Sequence, residues 1–181
     1  FEAIGTHWEI ETTDPLPEAE RAEVSAEIAR FDREWSRFRG DSEVARLGRD
    51  GGSFASADAA PMLDAYRDLF RASGGAVSPR VADSLEALGY DAGYSLVAGA
   101  PVHAASDWLE HVSWTDSSVT VARPALLDVG ALGKGRLVDL VMGVLATVPG
   151  DVVVDAGGDI RVRGAGVRIG LEHPYDAQKA I

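Results

Sequence analysis

The sequence predicts an α+β fold, a mixed sheet with packed helices, on three observations. Apolar residues recur at helical spacing in two long stretches, Val24 to Trp35 and Leu137 to Leu145. Short apolar runs such as Val152 to Val154 are too brief for helices and read as buried strands. The two kinds of element are interspersed without a steady βαβ alternation, and no internal repeat or low-complexity tract is present.

Glu2 to Glu11 reads as a strand entering from Gly5-Thr6, and Thr12-Thr13-Asp14-Pro15 as a turn. Pro17 stands near a helix start, where its missing N–H costs nothing. Val24, Ile28, Phe31 and Trp35 then form one face of a long amphipathic helix. Gly40 ends that element, and Asp41 or Ser42 can cap a short helix carrying Val44 and Leu47. Gly51-Gly52 marks a loop. A second long helix follows Asp58, with Met62, Tyr66, Leu69 and Phe70 inward and Gly74-Gly75 as its stop. Asp83 to Leu88 reads as a short helix closed by Gly89. Asp91 to Val119 is weakly patterned, with short strands expected around Val112 to Trp114 and Val119 to Ala122. Leu126 to Val129 reads as a short buried strand and Lys134 to Val148 as a helix with Leu137, Val141 and Leu145 on one face. Val152 to Val154 precedes Gly157-Gly158, and Ile160 to Val162 and Val167 to Ile169 read as paired strands around Gly164-Ala165-Gly166.

The length of 181 residues suits one domain, 1–181. A hydrophobic fraction of 46% supplies a core, so disorder is not expected. The net charge of −12 argues against nucleic acid as a partner, because that binding relies on cations neutralising phosphates. The absence of cysteine removes disulfides, thiolate nucleophiles and Cys-based metal sites. No apolar run has the roughly 20 residues of a membrane helix. The chain opens at Phe1 and not Met, which leaves room for a removed signal or lipid anchor, the one route to a membrane read here. It stops just after a strand and the turn His173-Pro174-Tyr175-Asp176, which reads as truncation.

The sharpest chemical segment runs from Leu127 through Asp128-Val129-Gly130-Ala131-Leu132-Gly133-Lys134-Gly135 into a helix with Val138-Asp139. A strand followed by a small-residue loop and a helix start leaves backbone N–H groups free at a positive helix end, with a lysine at hand for a phosphate. It is not a P-loop, because G-x-x-x-x-G-K-[ST] is absent. From the residues alone two readings stand side by side, phosphate binding and a tight turn with Lys134 in solvent. The four histidines show no paired metal spacing and read as structural or exposed. The four tryptophans read as core or interface.

Asp128 to Asp139 resembles the D-[LV]-[GS]-[GA]-x-[AG]-K-G-x-x-[VA]-D signature of the ApbE family of FAD:protein FMN transferases. Further blocks follow in family order. Gly5-Thr6 resembles M-G-T with Ile4 for Met, Ser36 to Leu47 resembles S-x-[YF]-x-x-[DN]-S-E-[LV]-x-x-[LI], and Gly75 to Pro79 resembles G-A-F-D-P. Asp83 to Tyr90 is similar to the block after it, Asp155 to Ile160 to N-x-G-G-D-[IL], and Val167 to Pro174 to W-x-V-G-I-x-x-P.

The resemblance implies an ApbE-like, T-fold-related domain that moves FMN from FAD to a Thr or Ser hydroxyl of a partner flavoprotein and releases AMP, with Mg²⁺ required. It implies FAD contacts at Ile4, Phe38, Ala76, Val77, Ser78, Asp128 and Lys134, and a metal contact through the carbonyl of Ala131. Phe38 would stack on the isoalloxazine ring, and its alternative is core packing. Ser78 replaces the family's Asp and Arg80 its Thr. No catalytic residue is assigned, because the family's Asp/Thr metal motif, histidine strand and T-S-G region lie C-terminal to this sequence. Two alternatives therefore stand beside the transferase, a shortened noncatalytic flavin-binding module and an FAD pyrophosphatase. The resemblance also implies an extracytoplasmic or membrane-associated setting, with a cytoplasmic one open.

Overall fold

The computed structural model describes residues 1–170, 172, 173 and 175–180. Leu171 and Pro174, which belong to the last family-like block and to the terminal turn, lie outside the described residues.

Helix α1 (Glu18–Trp35) follows Pro17 and carries Glu18 and Glu20 in its first turn, where the helix dipole favours negative charge. Its buried face is Val24, Ile28, Phe31 and Trp35. Ser42 caps α2 (Glu43–Asp50), its Oγ accepting the Ala45 N–H at 3.1 Å. Helices α3 (Ala59–Ala72), α4 (Ala82–Ala87), the single turn α5 (Trp108–His111) and α6 (Gly130–Val144) complete the helical set, with a 3₁₀ turn at Leu145–Thr147.

The strands are β1 (Glu2–Ala3), β2 (Thr6–His7), β3 (Glu9–Thr12), β4 (Gly52–Ala55), β5 (Val112–Thr115), β6 (Ser118–Val121), β7 (Val152–Ala156), β8 (Asp159–Arg163), β9 (Glu172–His173) and β10 (Asp176–Ala180). The α+β class is borne out. In place of one mixed sheet, the described strands pair antiparallel as two three-stranded sheets, β3-β7-β8 and β4-β6-β5, and two short ladders. Helix α6 lies across β7 and β8 and packs on α1, while α3 covers β5 and β6. The core is continuous between these layers, from Trp8, Val152 and Val154 through Leu137 and Val141 to Leu47, Leu63 and Val119. No helix among the described residues is long and apolar enough to cross a membrane.

Several elements differ from expectation for local physical reasons. Glu2 to Glu11 is not one strand. Ile4 and Gly5 take φ of 44° and 77°, a two-residue reversal that pairs Ala3 with Thr6. Strand β4 replaces the expected loop after Gly51; only Phe54 of its residues is buried, so it lacks an apolar period, and β6 supplies its ladder. Leu126 to Val129 forms no strand and is tied instead by the Asp128 N–H donating to the Pro79 carbonyl at 2.8 Å. Helix α6 begins at Gly130, four residues ahead of Lys134, so the small residues are its first turn. They let α1 approach: a Cβ on Gly133 would sit 3.2 Å from Val129 and 3.6 Å from Phe31. Strand β8 pairs with β7 through Gly157-Gly158, and Val167 to Ile169 is not a strand. Leu69 points outward at 39% exposure, and Leu63 takes the inward place.

Candidate functional site

A cavity of about 700 Å³ opens where the end of α1, the Ile4-Gly5 reversal, the segment after α4 and the start of α6 converge. That volume is in the usual range for a small-molecule site. Of the sequence-assigned residues, it brings together Ile4, Phe38, Asp128, Ala131 and Lys134. Ala76, Val77 and Ser78 do not line it. Val77 N–H donates to Ser73 Oγ at 3.0 Å, closing the end of α3, and the buried Ser78 Oγ accepts the Arg80 N–H at 3.1 Å. Pro79, which follows them, accepts the Asp128 N–H with its carbonyl.

Aromatic rings dominate one wall. Phe38 stacks on Tyr94 with centroids 5.2 Å apart and planes 12° from parallel. Tyr90 meets both edge-on, each at 5.4 Å. The Arg37 guanidinium lies over Phe38, its central carbon 4.1 Å from the ring centroid. Its side chain is 2% exposed. It donates from Nε to Asp128 Oδ2 and from Nη2 to the Tyr90 carbonyl at 2.8 Å. Its Nη1 has no hydrogen-bond partner among the described residues, and Glu86 Oε1 lies 3.9 Å from it.

The opposite wall is the start of α6. Asp128 Oδ1 accepts the Gly130 N–H at 2.7 Å, so one carboxylate caps the helix and neutralises Arg37. The next N–H groups with a partner, of Leu132 and Gly133, donate to the Val129 carbonyl at 3.0 and 2.7 Å, and the hydroxyl of the buried Tyr66 lies near this turn. Burial first, and the Asp128 charge second, push that hydroxyl well above the ordinary tyrosine value, so it stays protonated at neutral pH. Of the N–H groups expected to be free for a phosphate, those of Gly130, Leu132 and Gly133 are thus partnered within the protein. Lys134 is partnered too, 3.0 Å from Asp159, but both side chains are more than a third exposed and the pair is open to exchange.

The cavity has aromatic rings on one side and a cation, Lys134, on the other. It does not by itself make a magnesium site. Ala131 offers a backbone carbonyl, and no group of three or more acidic or histidine side chains that could hold a metal occurs among the described residues.

Sequence reasoning missed Arg37, Tyr90, Tyr94 and Asp159 as site residues. Arg37 stands between two residues of a recognised block, but its partners lie 53 and 91 positions away. Tyr94 sits in the unpatterned stretch, and nothing in its spacing points to Phe38.

A sequence model of the ApbE family matches residues 4–181. Among solved structures, the flavin transferase ApbE from Vibrio cholerae superposes with a TM-score of 0.76 at 20% identity, covering 100% of this chain and 65% of that one. The apo form of Pseudomonas stutzeri flavinyl transferase ApbE gives 0.67 at 20% identity, over 94% of this chain and 64% of that one. An ApbE protein from Thermotoga maritima gives 0.68 at 19%, over 90% and 57%. At these identities the likeness is one of fold, and this chain spans less than two thirds of each of those proteins. No curated protein sequence matches the chain.

Proposed function

The chain belongs to the ApbE family, and from that premise we propose that it binds FAD as one unit, 1–181, and serves transfer of FMN to a Thr or Ser hydroxyl of a flavoprotein, releasing AMP. The observation that carries this reading is the cavity in which Ile4, Phe38 and the segment from Asp128 to Lys134, far apart in sequence, line one space.

The chemistry is a phosphoryl-type displacement. The acceptor oxygen attacks the phosphorus of the FMN half, a new P–O bond forms, and the bond to the AMP phosphate breaks. AMP leaves with the bridging oxygen, and the hydroxyl proton passes to a base. In this reading the aromatic wall holds the ring in a water-poor place. Lys134 exchanges Asp159 for the pyrophosphate and opposes the charge that grows on the leaving phosphate. Asp128 holds Arg37 and the α6 N-terminus in place, and accepts from the ligand only with a lone pair those contacts leave. A magnesium ion, if bound, would be held by the Ala131 carbonyl and would supply charge that neutralises the phosphates. Ala76, Val77 and Ser78 enter as support for the Asp128 segment. An extracytoplasmic or membrane-associated setting goes with the family resemblance.

Calorimetric titration with FAD, with and without Mg²⁺, tests the reading. The expected result is a dissociation constant on the order of micromolar, weakened in Lys134→Ala. Absence of binding under both conditions overturns the reading for this chain.

A further inference from the structure

Phe38 is the ring to which a flavin is assigned, yet it is already in contact with other groups. The Arg37 guanidinium lies 4.1 Å from its centroid and Tyr94 stacks 5.2 Å away, nearly parallel. A flavin ring that stacks on Phe38 in the place Tyr94 holds must displace Tyr94.

The two occupants differ in how firmly they are held. Arg37 is buried and bonded to both Asp128 and the Tyr90 carbonyl. Tyr94 is 48% exposed and belongs to the irregular stretch between α4 and α5. Its backbone sits at φ 50°, and Leu96 two residues on at φ 52°, conformations that non-glycine residues rarely hold. Strain of this kind persists where a function uses it. Across the mouth, the Tyr94 hydroxyl is 3.5 Å from where a Gly5 Cβ would stand, beside the third such residue, Ile4 at φ 44°.

We infer that Tyr94 is a stand-in for the ligand's ring: it fills the stacking place on Phe38 in the free protein and leaves when a flavin enters. This rests on the flavin reading of the cavity. The stacking energy with Tyr94 is given up and regained with the ligand, and relief of backbone strain favours opening. The fraction of molecules with Tyr94 displaced then sets the apparent affinity.

The test compares wild type, Tyr94→Ala and Tyr94→Phe, each checked for an unchanged melting temperature. Each is titrated with FAD and with lumiflavin, the ring alone, by fluorescence, and with ADP, which has no flavin ring, by calorimetry. If about one molecule in ten is open, Tyr94→Ala binds both flavins up to about tenfold tighter, while Tyr94→Phe stays near wild type and ADP binding does not move. Flavin affinity that is unchanged or weakened in a folded Tyr94→Ala, with wild type binding FAD, overturns the inference alone. Equal tightening for all three ligands also overturns it, since that marks general loosening. Flavin binding to none of the three proteins removes the flavin reading and the inference with it.

Discussion

Around Asp58 and around Arg37 the chain meets the same problem, a charge withdrawn from water among aromatic rings, and settles it in two ways. Asp58 is fully buried and lies at the junction of α1, α3 and α6. It accepts from Arg30 at 2.8 Å and from Arg136 at 2.9 Å, and beside it Ser56 Oγ takes the Trp35 ring N–H at 3.2 Å. Each of these partners comes from a regular helix or its flank. Arg37 is equally enclosed, but one of its nitrogens lacks a hydrogen-bond partner among the described residues, and one of the two rings it packs against, Tyr90, opens an irregular, partly strained segment. The difference teaches where the molecule tolerates incomplete contacts. At Arg37 that incomplete contact belongs to a cavity-lining residue, where an arriving ligand can complete it.

Asp58→Ala should produce the largest effect, because it leaves two arginines facing an enclosed space without their shared carboxylate. Since both arginines are partly exposed, a loss of about 3 kcal/mol is expected, read by urea denaturation. A loss near zero would erase the distinction between the two regions. Gly89→Ala should act on the other side. Gly89 has φ 86°, and a Cβ there would lie 2.5 Å from the Val97 nitrogen. The strain of roughly 1–3 kcal/mol should be released by detaching the mouth segment. Faster hydrogen exchange confined to residues 90–99 is the expected signature; faster exchange throughout α1 and α6 would show the regions to be one cooperative unit.

Ser42 stands on the border. Its hydroxyl donates to the Ser36 carbonyl at 2.5 Å and caps α2, one turn of chain from Arg37. Ser42→Ala should cost about 1 kcal/mol in denaturation, between the first two in character. Lys134→Ala should be the mildest for the fold. Its pair with Asp159 is exposed enough that screening leaves at most about 0.5–1 kcal/mol. FAD affinity should nevertheless fall, and a stability loss exceeding that of Ser42→Ala would place Lys134 with the framework.

The framework was the more legible of the two regions. Val24, Ile28, Phe31 and Trp35 could be read directly, because a helix packed on one side writes its period into the sequence. The start of α6 could not, because glycines that allow close helix packing look like a loop. Strand β4 was hidden for a related reason: its place is set by hydrogen bonds to β6, including Ser53 with Thr120 at 2.8 Å, and not by an apolar pattern. At the site, Phe38, Asp128 and Lys134 stood out through contiguous motifs. Tyr94 and Asp159 did not, since their importance comes from what folding brings beside them.

The pairing of β3 with β7 joins Glu9 to Asp155 and Thr12 to Val152. On the ribosome, β3 emerges early and its partner almost at the far end of this sequence. At ordinary elongation rates the interval is on the order of ten seconds. Throughout it β3 lacks its β7 partner, and for most of it the α6 wall of the cavity has not been made. The nascent chain therefore passes through a period in which it can adhere to other chains but cannot yet complete its cavity, and its dependence on chaperones should be greatest then.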